Sequence, residues 1–284
     1  MKVCISTEST VDLSRELIDE YDIRIIPFGI LLGENLKYDG EINSLDIFAF
    51  VEENKVLPKT SAVNFQEYRT FFAELLEEYD VVIHIAFGTK MSSSCEHAFQ
   101  AAKKFDGKVL VVDSASLSTG IGLQCIYARE LERAGKSPEE IVKAVKARRK
   151  YVQASFVVNT LEYLHKGGRC SGLSRVLGAV LRIKPQIVLR DGEMIPGKKY
   201  MGRQSSCVRK YCEDIIEEFP NIDKRHVFIT HSHATPDMME EARTILKEHG
   251  VENIHETIAG CTISSHCGPK CLGILFYADG GEHY

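Results

Sequence analysis

The sequence predicts an α/β protein of two domains: an N-terminal one with a mostly parallel sheet flanked by helices, and a C-terminal one of α+β type. Three observations carry this. Through the first half, short apolar runs alternate with segments of helical period, the βαβα order that builds a parallel sheet covered by helices. Near residue 150 the pattern changes to strand-like runs joined by turns. The length of 284 residues suits two domains of ordinary size, divided here into 1–150 and 151–284.

The first half reads in order as follows. Val3-Cys4-Ile5 is a strand. Ser9, with Asp12 three residues on, reads as a helix cap, and Leu13, Leu17 and Ile18 continue at helical spacing. Asn64 and Glu67 make a second capping signature, and Tyr68, Phe71, Phe72, Leu75 and Leu76 define one buried helix face. Val81 to Ile85 is a continuous apolar run broken by His84, which suits a central parallel strand. Ala98, Ala101, Ala102 and Phe105 give the next helix, and Val109 to Val112 the next strand. Ser137-Pro138-Glu139-Glu140 supplies a cap, a first-turn proline and a capping-box glutamate.

In the second half, Phe156-Val157-Val158, Lys184 to Leu189 and Gly192 to Gly197 read as strands. A helix carries Val208, Tyr211, Cys212, Ile215, Ile216 and Phe219. A strand runs from His226 to Thr230, Pro236 starts a helix, and Gly273 to Phe276 is a closing strand.

Composition narrows the function classes. Apolar residues are 44% of the chain, enough for a sizeable core. The net charge of −5 offers no basic surplus for nucleic acid. The run Arg148-Arg149-Lys150 reads as the end of an amphipathic helix, complementing its dipole. No stretch approaches the ~18 uninterrupted apolar residues of a membrane span. The opening MKVCISTEST reads as a strand and turn rather than a leader, so a cytoplasmic location is expected. Nine cysteines, an odd number in a chain too long to need staples, are expected as free and mostly buried thiols.

Several polar spots stand out. GTKMSSSCEHA places Ser92, Ser93 and Ser94 between a strand and a helix, where open α/β sheets hold ligands. Hydroxyls beside a helix N-terminus suit an anion, though plain capping is also open. PKTSAVNFQEY puts Thr60 and Ser61 just before another helix, where capping again competes. HKGGRCSG places Arg169 after two glycines, able to pair with an anion or to close a tight turn. SSHCGPKCLG places His266 in a small-residue loop, as a donor or base. Cys261, His266, Cys267 and Cys271 do not complete a familiar zinc pattern. His231 and His233 bracket one serine without a third ligand. No metal and no cofactor are expected.

Together these pieces resemble the DegV family, which includes the FakB fatty-acid-binding proteins of bacteria. The resemblance is carried in order by STEST with VDL, IIPFGI, YDG, PKTS, MSSSCEHA, VVDS, LEYLHKGGR, LGAVLRIKPQI and SSHCGPKCLGILF. Arg203 is similar in position to a family arginine. The chain departs from the pattern at Glu8, where Asp is usual, at Ser93-Ser94 for Gly-Thr, at Ala62-Val63 for a polar pair, and at Cys267 and Lys270, the latter for Gly.

The resemblance implies one long-chain fatty acid held between the two domains. Its carboxylate would lie on Thr60, Ser61 and Ser92, with Ser93, Arg169 and His266 in support. It further implies a carrier rather than a catalyst, working in lipid transport and fatty acid metabolism. A separate fatty acid kinase would phosphorylate the bound acid, with Arg203 and Lys270 as partner-facing residues. Two other classes compete on the same residues. A Ser/His hydrolase would use Ser92 and His266, with Asp113 as the acid. A sugar-phosphate binder would use the same serine-rich helix start and require a polar pocket.

Overall fold

The computed structural model describes residues 1–170 and 183–282. The stretch Leu177 to Arg182, part of the LGAVLRIKPQI motif, lies outside the described residues. Four strands, β1 (Val3–Glu8), β2 (Ile23–Ile26), β6 (Val81–Ala86) and β7 (Val109–Asp113), form a parallel sheet in the order β2-β1-β6-β7. β6 lies between β1 and β7, which explains its nearly continuous apolar run. Two helix pairs cover this sheet: α3 (Phe65–Glu78) with α4 (Ser94–Ala102), and α5 (Thr119–Arg133) with α6 (Pro138–Arg148). The expected boxes at Asn64/Glu67 and Ser137/Glu140 cap α3 and α6 reciprocally.

A small antiparallel sheet of β3 (Gly29–Leu32), β4 (Asn35–Tyr38) and β5 (Lys59–Ser61) sits alongside, with α2 (Ser44–Asn54) between its last two strands in sequence. The second half builds a six-stranded mixed sheet. Its strands are β8 (Val152–Val157), β9 (Ile183–Arg190), β10 (Glu193–Met201), β11 (Val227–Ser232), β12 (Ile254–Ile258) and β13 (Cys271–Tyr277), in the order β10-β9-β8-β13-β11-β12. Every pairing is antiparallel except β11 with β12.

The period of two sorts the faces of this sheet. In β13, Leu272, Ile274 and Phe276 join the core beneath α8 (Gln204–Glu218) and α9 (Pro236–Glu248). Cys271, Leu275 and Tyr277 join the other core, which runs on into the parallel sheet. Two further helices, α7 (Glu162–Gly167) and α10 (Cys261–Cys267), flank that second face.

Two expectations are corrected. Ser9 does not cap a helix. Ser9–Val11 is a single 3₁₀ turn, Asp12 stands at φ 51°, and α1 (Arg15–Glu20) starts later under Ser14. Distant partners win: Ser9 Oγ accepts from the Phe28 amide, and Asp12 accepts from the Gly260 amide and the Ser118 hydroxyl. Nor does Arg148 merely complement a dipole. It is buried, donates to Asp223 (2.6 Å) and Asp279 (2.8 Å), and lies over the Tyr277 ring at 3.8 Å. All nine cysteines are free, eight of them buried.

Candidate functional site

A narrow cavity of about 110 Å³ lies between the ends of the parallel strands and the inner face of the six-stranded sheet. Phe28 and Phe87, just past β2 and β6, form part of its wall with Met91 and Leu117. Ala154, Phe156, Leu189, Met194 and Leu275 face them, and Leu164 and Ile263 come from α7 and α10. Gly273 lets β13 and β8 approach: a Cβ there would lie 2.5 Å from the Ser155 carbonyl. Sequence reasoning did not locate these walls, because they are gathered from four turn residues and from seven residues of six separate strands and helices that only the tertiary fold brings together.

Five of the six expected ligand residues line this cavity: Thr60, Ser92, Ser93, Arg169 and His266. Ser61 does not; it is exposed, as alternation along β5 turns it away from Thr60. Thr60 Oγ1 and His266 Nε2 lie 2.9 Å apart. His266 is in the last turn of α10, not in a loop as the small residues suggested. The helix forms because two distant aspartates cap it. Asp12 accepts from the Gly260 amide (2.8 Å), and Asp39 accepts from the amides of Cys261 (3.0 Å) and Thr262 (3.1 Å). Burial, reinforced by the Arg169 charge, pushes His266 down to about 4 and keeps the ring neutral at pH 7.

The two glycines of HKGGRC have different reasons. A Cβ on Gly167 would lie 2.5 Å from His266 Nδ1, so α7 can pass the histidine only with glycine there. Gly168 ends α7 at φ 65°, in the left-handed region. Arg169 follows, exposed, donating to the Gly167 carbonyl at 2.7 Å.

The three serines are not equivalent. The Ser92 hydroxyl accepts from the Ser94 amide (3.2 Å). Ser93 is exposed and makes no side-chain cap. Ser94 is fully buried, donates to Glu8 (3.2 Å) and lies 2.7 Å from the Tyr68 hydroxyl. Glu8 also accepts from Tyr68 (2.5 Å) and from the Phe87 amide (2.9 Å). Burial opposes its charge, but His84, Tyr68 and the Phe87 amide outweigh it and hold the carboxyl below its ordinary range. Glu8 thus ties α3, the start of α4 and the cavity wall together, a role the sequence did not reveal.

Arg203 and Lys270 are exposed and outside the cavity lining. Gln204 Nε2 donates to the Lys270 carbonyl (3.2 Å), which brings their loops together. Lys270 stands at φ 60°, a conformation that suits glycine. The groups of a hydrolytic triad are not assembled. His266 bonds Thr60 rather than Ser92, and Asp113 accepts from the Thr89 and Ala115 amides. The mainly apolar lining also departs from the polar pocket a sugar phosphate requires. Among the described residues, no three His, Cys, Asp or Glu side chains cluster to hold a metal, and no helix is long and apolar enough to cross a membrane.

Comparison with known proteins gives a consistent result. Residues 2–279 match the family described as "uncharacterised protein, DegV family". A DegV domain-containing protein of Deinococcus radiodurans is 30% identical, covering 96% of this chain and 98% of its own. A Thermotoga maritima protein named a fatty acid-binding protein is also 30% identical, covering 96% of each chain. A DegV-family protein from Thermus thermophilus, its structure described as one of fatty acid binding, superposes with a TM-score of 0.90. It is 28% identical, and the match covers 98% of this chain and 99% of that one. The chain belongs to the DegV family.

Proposed function

We propose that the protein binds one long-chain fatty acid in this cavity, with the carboxylate on the Thr60, Ser92, Ser93, His266 and Arg169 cluster. The observation that carries the reading is the juxtaposition of a narrow, mainly apolar cavity with that polar cluster. The names of the Thermotoga and Thermus relatives support it. The two ligand-holding domains are taken as 1–150 and 151–284, since lining residues come from both sides of that division.

The energetics fit. A buried methylene contributes about 0.8 kcal/mol, so ~14 of them offer roughly 11 kcal/mol before ordering costs once the cavity of about 110 Å³ widens to take the whole chain. The tail supplies affinity, and the head must be paired because a lone buried carboxylate is very costly. With its proton on Nε2, neutral His266 donates to Thr60 Oγ1, which frees the Thr60 hydroxyl proton for the carboxylate. Ser92 adds a second hydroxyl, and Arg169 supplies the positive charge.

The protein in this reading is a carrier and not a catalyst. Arg169 is exposed beside the head group, and Arg203 and Lys270 are exposed on adjoining loops. A fatty acid kinase would dock there and phosphorylate the presented carboxylate. Organic extraction of the purified protein followed by mass spectrometry tests the binding. A fatty acid near one per chain is expected. No lipid, with none taken up from added palmitate or oleate, would refute it.

A further inference from the structure

The hairpin of β9 and β10 reaches beyond the sheet that carries it. β8 pairs with β9 as far as Val188. β9 and β10 run on as a two-stranded ribbon, Leu189 against Met194 and Arg190 against Glu193, around a turn at Asp191 and Gly192. β10 is the edge strand, so among the described residues no third strand supports this tip. A ribbon of two strands is marginally stable by itself. Leu189 and Met194, as cross-strand partners, share a face, and both line the cavity. Leu189 is only half-buried, so the wall there is one hairpin thick.

The tip is held to the first half of the chain by weak contacts. Lys90 and Glu193 pair at 3.2 Å, both half-exposed. An exposed pair of this kind contributes at most about 1 kcal/mol. Gly192 is buried against Ala115: a Cβ on the glycine would lie 3.5 Å from the Ala115 Cβ. The Cys170 thiol donates to the Met194 carbonyl at 3.2 Å, and a thiol is a weak donor. Lys90 and Ala115 belong to the turns that also bring Met91, Ser92 and Leu117 to the cavity.

We infer that this tip, residues 189–194, is the gate of the cavity: it swings away from the Lys90 and Ala115 turns to admit or release the acyl chain, bending where β8 stops supporting β9. This rests on the fatty-acid reading above and adds the moving part. The cavity of about 110 Å³ has to widen for a whole chain, and lifting the tip takes Leu189 and Met194 out of its wall while every β8–β9 pairing stays intact.

The test times the exchange of bound radiolabelled palmitate for unlabelled palmitate in the wild type, Ala115→Cys/Gly192→Cys and Lys90→Glu. The separation of 3.5 Å falls within the Cβ···Cβ range of about 3.5–4.5 Å that a disulfide spans. Loaded and then oxidised, the double variant should release palmitate more than about tenfold slower than wild type treated alike, and dithiothreitol should restore the rate. Because Gly192 stands at φ 78° and a cysteine there is strained, Lys90→Glu provides a second test. It sets a like charge against Glu193 and should speed release about twofold to fivefold, and the swap Lys90→Glu/Glu193→Lys should return it to the wild-type rate. Release at the wild-type rate from the crosslinked protein overturns the gate and leaves the fatty-acid reading standing. Where no crosslink forms, wild-type release from Lys90→Glu does the same. Wild-type protein that takes up no palmitate overturns both.

Discussion

Two buried acidic clusters solve the same electrostatic problem in opposite ways. Asp223 and Asp279 meet the guanidinium of Arg148, charge against charge, where the end of α6 joins the segment after β13. Glu8 meets the Tyr68, Ser94 and Thr7 hydroxyls, one backbone amide and the His84 ring 3.6 Å away. None of the Arg148 group lines the cavity, while Glu8 grips Phe87 at the cavity wall and Ser94 next to the lining Ser93. The ion pair is a lock between distant segments. The hydroxyl cradle sets positions, because each of its bonds is directional and ends on an element that shapes the site.

The comparison breaks most visibly at Arg148. Arg148→Ala leaves the buried Asp279 carboxylate without its cation, while Asp223 keeps Arg225, and is expected to cost about 3 kcal/mol in urea unfolding. Palmitate affinity of the folded fraction should stay unchanged; a loss of affinity would erase the distinction between lock and cradle. Glu8→Gln keeps the shape but halves the acceptor capacity. It should cost about 1–3 kcal/mol and also weaken palmitate binding, because Ser94 and Phe87 lose their anchor. Stability loss without any change in binding would reduce Glu8 to a second lock.

Proton linkage sharpens the contrast near the cavity. His266 and His255 both titrate at about 4 when folded, against an ordinary 6.5. Between those values the unfolded chain binds more protons, so stability falls as pH drops from 6.5 towards 4. Asp12 is pushed up to about 8, first by burial, with the Asp39 charge adding to it, from an ordinary 3.8. There the native state binds more protons, so its contribution is full below 3.8 and is lost as pH rises towards 8. Melting temperatures across pH should show a shallower acid limb in His266→Gln and a shallower alkaline limb in Asp12→Asn. Unchanged limbs would mean that α10 does not carry these shifts. The smallest effect is expected at Lys270, whose φ of 60° favours glycine: Lys270→Gly should raise stability by up to about 1 kcal/mol.

The βαβα order, the capping boxes at Asn64 and Ser137, and the α+β character of the second half were legible because their signals are local. The missed features have distant causes. The sequence CTISSHC lacks a helical apolar period, and α10 exists because Asp12 and Asp39, more than two hundred residues earlier, cap it. Arg148 looked like one of three basic residues at a helix end, since nothing local announces Asp223 and Asp279. Ser94 looked like a cap because Glu8 lies eighty-six residues away. The candidate ligand residues were legible through their motifs, yet Ser61 fell outside the cavity because strand alternation separates it from Thr60.

In the proposed reading the polar cluster holds a fatty acid carboxylate. Calorimetric titration of palmitate into the wild type and Ser92→Ala, with an unfolding curve for each, addresses it most directly. Roughly tenfold weaker binding is expected in the variant, the loss of one hydrogen bond to a charged group, at an unchanged unfolding midpoint. Equal affinities would contradict it and place the head group elsewhere.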